Sequence, residues 1–110
     1  MTRLELIRMI GDVITAIDIR RGSMLPNDPR RRELDDVRKD LDQKQLQLSG
    51  EQFDDATEGF KKAAKSLSQI NGELENALDR AEDIVTTINT LKRFTQAVDG
   101  IIRIALPYRR

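Results

Sequence analysis

Apolar residues recur at helical spacing from the start of the chain. Leu6, Ile7, Ile10, Val13, Ile14 and Ile17 share one face of a helix expected over about residues 3–20, with Thr2 placed to cap it. The run RRGSMLPNDP then breaks the pattern with Gly22, Pro26, Asn27 and Pro29, so residues 21–28 read as a loop and Asp28-Pro29 as the opening of a second helix. That helix, about 29–47, carries only a thin stripe of Leu34, Val37, Leu41 and Leu48, with Lys44 where another apolar residue would fall. Ser49 followed by Gln52 has the form of a capping box, which puts the next helix start near residue 50.

From Phe53 onward the pattern is stricter. Apolar residues fill the a and d positions of a heptad from Phe53 to Ala105, Thr95 alone being polar, and the register crosses Asn71-Gly72 without a slip. Gly72 falls at f, the outermost position, where glycine costs about 1 kcal/mol relative to alanine but disturbs no packing. One long C-terminal helix over about 50–106 is therefore expected. Asn-Gly is also a turn signal, and the charges run acid first and base last on each side of it, as two separate helix dipoles would prefer. The alternative is a four-helix up-down bundle that turns at Asn71-Gly72.

Either arrangement leaves the end of the stripe short of cover. A helix over 50–106 would be about 85 Å long against about 30 Å for each of the first two. Leu74, Leu78, Ile84, Val85, Ile88, Leu91, Phe94, Val98, Ile101 and Ile102 are thus the expected partner-binding residues, facing a second copy of the chain or another helical protein.

Composition agrees with an all-α helical bundle or antiparallel coiled coil: 38% hydrophobic, 35% charged and only 4% aromatic residues, in a single helical domain of 110 residues. Nineteen basic residues balance nineteen acidic ones, so no global field draws the protein to nucleic acid or an anionic membrane. Arg3, Glu5, Arg8 and Asp12 interrupt the N-terminal apolar residues, which fits neither a signal peptide nor a membrane span. A cytoplasmic protein is the expectation.

With no His and no Cys, imidazole and thiol chemistry and the usual zinc sites are excluded. Glu75, Asp79 and Glu82 share a helical face, but it is the outward one, so a solvated surface is expected rather than a metal site. Arg20, Arg21, Arg30, Arg31 and Arg32 bracket the loop with Asp28 as the acid among them, a candidate anion-binding patch. No aromatics interleave with them to stack on bases. The sequence thus points to a non-enzymatic interaction module, a helical scaffold, adaptor or inhibitor without cofactor, working through its C-terminal seam. The alternatives are a nucleic-acid or anionic-surface binder using the arginines, and an amphipathic helix on a membrane surface.

Overall fold

The computed structural model describes residues 1–50, 54–80 and 84–105. They form four helices, α1 (Arg3–Gly22), α2 (Pro29–Gly50), α3 (Glu58–Arg80) and α4 (Ile84–Ala105), with no strand among the described residues. The all-α bundle expected from the sequence is what the chain adopts.

α1 starts where its cap was read. The Thr2 hydroxyl accepts a hydrogen bond from the Glu5 backbone N–H at 3.1 Å, and the Thr2 N–H donates to the Glu5 carboxylate at 3.0 Å. This reciprocal pair satisfies two of the donors that a helix start leaves open. It also holds the Glu5 carboxyl below the usual carboxylate range, through the Thr2 backbone and hydroxyl bonds to the charged form. α2 opens at Pro29, with the Asp28 carboxylate accepting from the Arg30 N–H at 2.9 Å.

The boundary expected at Ser49 is displaced. α2 continues to Gly50, and the Ser49 hydroxyl donates back to the Leu46 carbonyl at 2.7 Å, a bond made within the helix. Gln52, the other half of the supposed capping box, lies outside the described residues. α3 begins instead at Glu58 and is capped by Thr57, whose hydroxyl accepts from the Phe60 N–H at 3.0 Å. The segment before it folds against the end of α4: the Asp54 N–H donates to the Ala105 carbonyl at 2.9 Å, and the Asp54 carboxylate accepts from the Ala56 N–H.

Asn71-Gly72 lies inside α3, so the helix does run through the dipeptide. The single helix over 50–106 is nevertheless corrected, because α3 ends at Arg80 and α4 begins at Ile84 and folds back along it. The antiparallel pairing is fixed by Glu73 with Arg93 at 3.1 Å, by the Thr87 hydroxyl on the Ala77 carbonyl, and by Gly59 against Ile104. The chain therefore changes direction between Arg80 and Ile84 rather than at 71–72. Heptad phase could not reveal it, since Ala77, Ala81, Ile84 and Ile88 keep the 4-3-4 spacing straight across the connection.

α1 and α2 form a second antiparallel hairpin. Arg38 pairs with Asp18 at 2.6 Å, Arg21 with Asp35 at 2.7 Å, and the Gln45 amide donates to the Ile7 carbonyl at 3.0 Å. The Arg38 guanidinium is held above its ordinary range by that bond to Asp18 and by its charge. Gly11 lets the Gln45 side chain cross, since a Cβ there would lie 3.1 Å from its Nε2. The two hairpins join lengthwise through α2 and α4. Lys44 bridges that junction, 2.8 Å from Asp40 on its own helix and 3.7 Å from Asp99 on α4, which explains a lysine in the α2 stripe.

One core results, built from Leu6, Ile10 and Ile17 of α1, Leu34 and Leu41 of α2, Phe60, Leu67 and Leu74 of α3, and Leu91, Phe94 and Val98 of α4, all fully buried. The molecule measures 42 × 24 × 18 Å. Its helices follow one another around the core in the order α1, α2, α4, α3, and α2 and α3, neighbours in sequence, do not pack lengthwise.

Candidate functional site

The C-terminal stripe is covered by its own chain. Leu74, Ile88, Leu91, Phe94, Val98, Ile101 and Ile102 are buried, Leu78 and Ile84 are half-buried, and only Val85 is exposed, at 43%. The residues expected to meet a partner, Val85 apart, lie on the inward faces of α3 and α4 and pack within the chain. Once α4 folds back on α3, each helix supplies the partner that the other lacked, and α2 covers a further face of α4.

The arginines are likewise drawn into the fold. Arg21 is shared between Asp18 at 3.1 Å and Asp35 at 2.7 Å, and Arg31 donates to the Met24 carbonyl at 3.1 Å. Arg20 is half-buried, with its Nε buried and making no hydrogen bond. Arg30 is half-buried and Arg32 exposed. The hollow beside the loop is lined by Arg31 and Arg32 but equally by Asp28 and Asp35, so the charges cancel where an anion would sit. Of the five arginines, Arg31 and Arg32 alone line this hollow.

Glu75 lies exposed on α3, the Asp79 side chain and Glu82 lie outside the described residues, and among the described residues no cluster of carboxylates is arranged to hold a metal ion. No described helix is long and apolar enough to cross a membrane.

What the fold leaves open is the side opposite the α2–α4 junction. There α1 and α3 stand apart and flank a groove of about 360 Å³. Val13 and Leu74, both buried, form its floor with half-buried Met9, Ala16 and Leu78. Its edges are polar: exposed Glu5, Arg8 and Asp12 on α1, and on α3 Asn71, whose amide donates to the exposed carboxylate of Glu75 at 3.4 Å. Of the residues assigned to a partner from the sequence, Leu74 and Leu78 alone line this groove. The α1 residues were missed because Met9, Asp12 and Ala16 flank the main apolar stripe of α1, and a flanking face looks the same in sequence whether a neighbour covers it or not.

No protein-family model, curated protein or solved structure matches the chain, so the site rests on its own geometry.

Proposed function

We propose that this protein is a non-catalytic interaction module, an adaptor or scaffold, that holds a helical segment of another protein in the groove between α1 and α3. The observation that carries this reading is the unclosed side of the bundle: three helix pairs around the core are packed, while α1 and α3 are separated by a groove with an apolar floor and polar edges. Two helices with a gap between them present parallel ridges, and an amphipathic helix laid over such a gap buries its apolar face as it would in a completed bundle. The lack of His and Cys supports a binding role over imidazole or thiol catalysis.

Panning a library of helical peptides against the protein tests the reading. Selected peptides should perturb the methyl NMR signals of Met9, Val13, Leu74 and Leu78. Binders that instead shift residues around Arg31 and Arg32 would favour the loop, and a library that yields no binder would remove the groove as a docking site.

A further inference from the structure

Granting that the groove is a docking site, we infer that its occupant is a basic amphipathic helix of about three turns, its apolar residues on the Met9–Leu78 floor and its lysines or arginines on the acidic rim. The rim supplies the first argument. Among the residues that line the groove, Glu5, Asp12 and Glu75 stand against Arg8, an excess of two negative charges on a chain whose net charge is zero, with the N-terminal ammonium acting on the Glu5 end alone. All four of these side chains are exposed, so they meet a partner at its edge, where charge sets selectivity and encounter rate at little desolvation cost. Glu5 is also fixed in place by its bond from the Thr2 N–H, a preset orientation for one of the three acids.

Size supplies the second argument. A volume of about 360 Å³ admits several side chains, whereas a helix with its side chains is about 10 Å across. The helix body therefore rests on the rim and only its apolar side chains enter. The α1 wall, from Glu5 to Ala16, runs about 16 Å, which matches about three turns of helix. A second copy of the chain docked groove to groove would bring two acidic rims together, and like charges facing each other oppose that pairing.

The test uses two stapled helical peptides of about 14 residues with leucines on one face and either lysines or glutamates on both flanks, titrated by fluorescence anisotropy at low salt against the full chain. The lysine peptide should bind about tenfold or more tightly than the glutamate peptide, and its advantage should shrink as salt is added. Asp12→Lys with Glu75→Lys, both at exposed positions, should reverse the preference while helicity stays unchanged. Equal binding of the two peptides, or a lysine preference that survives the double reversal, would overturn the inference. In the first case, loss of both peptides on Ala16→Arg would leave the groove as a docking site for helices of either charge; failure of both peptides to bind would remove the groove itself.

Discussion

The two hairpins reach the same topology by different means. α3 and α4 hold each other through a continuous apolar seam, and α4 alone buries nine residues, from Thr87 to Ala105. α2 buries four, and the α1–α2 hairpin compensates with side chains that cross between helices: Arg38 to Asp18, Arg21 to Asp35, and the Gln45 amide to the Ile7 carbonyl. The bonded side chains of Asp18, Arg21, Asp35 and Arg38 remain between 30% and 48% exposed. Partly solvated ion pairs contribute at most about 1 kcal/mol each, whereas a fully buried large side chain contributes about 1.5–3 kcal/mol. One hairpin is thus held mainly by exclusion of water, and the other depends more on specific pairing.

The largest effect expected from breaking this contrast is at Ile88, which is 2% exposed in the middle of the α3–α4 seam. Ile88→Asp would bury a carboxylate with no partner, at several kcal/mol, a large part of the about 5–15 kcal/mol by which a domain is stable. Circular dichroism should show loss of helix. Light scattering of the parent should show a monomer, because the seam is satisfied within one chain; a folded variant with reduced mass would mean that the seam joins copies after all.

A smaller contrast lies in the glycines. Gly72→Ala, on the open face of α3 with nothing within 4 Å of the new Cβ, should stabilise the chain by about 1 kcal/mol in urea unfolding. Gly11→Ala gains the same helix propensity but meets Gln45 Nε2 at 3.1 Å and displaces its bond to Ile7. Its net effect should be near zero, and a gain equal to that at Gly72 would show that the Gln45 bond contributes nothing.

Asp18→Asn removes a charge shared by Arg38 and Arg21. It should cost less than about 1 kcal/mol, and the difference from the parent should diminish at high salt, as expected of exposed pairs. A salt-independent loss of several kcal/mol would reverse the contrast between the hairpins.

A last contrast concerns pH. Because the folded Glu5 carboxyl is held below its unfolded value, its contribution is present above the unfolded pKa and is lost as pH falls through the depressed folded one. Thr2→Ala should lower stability at neutral pH by about 1 kcal/mol and flatten this part of the acid limb. An acid limb identical in parent and variant would detach Glu5 from the cap.

Much of this fold was legible because its signals are local. The Thr2 cap, the break at Pro26 to Pro29 and the α1 stripe depend on neighbours within a turn or two, and they appear where the sequence places them. Even the passage of the helix through Asn71-Gly72 followed from phase. The end of that helix did not, because heptad phase records which face is buried and not what lies against it. The acids that begin at Glu73 continue to Glu82 and Asp83, and the β-branched run Ile84-Val85-Thr86-Thr87-Ile88 follows at once. The acid-to-base order is no guide to that boundary, because Glu73 and Glu75 lie in the second half of α3, and α4, which starts twelve residues beyond Gly72, has no acid in its first turn. The groove could not be read at all, since it is set by the packing order of the helices around the core, and that order appears only when distant hairpins meet.

The single lengthwise junction between α2 and α4 has a mechanical consequence. It acts as the spine of a book whose two covers are the hairpins and whose fore-edge is the gap between α1 and α3. A rotation about that spine would widen or narrow the gap at the cost of core contacts between the covers, while the packing inside each cover would be kept. The Lys44 ammonium, set between Asp40 and Asp99 at the binding, tolerates such a turn, because an ion pair on a flexible stem keeps its attraction over angles that interlocked side chains would resist.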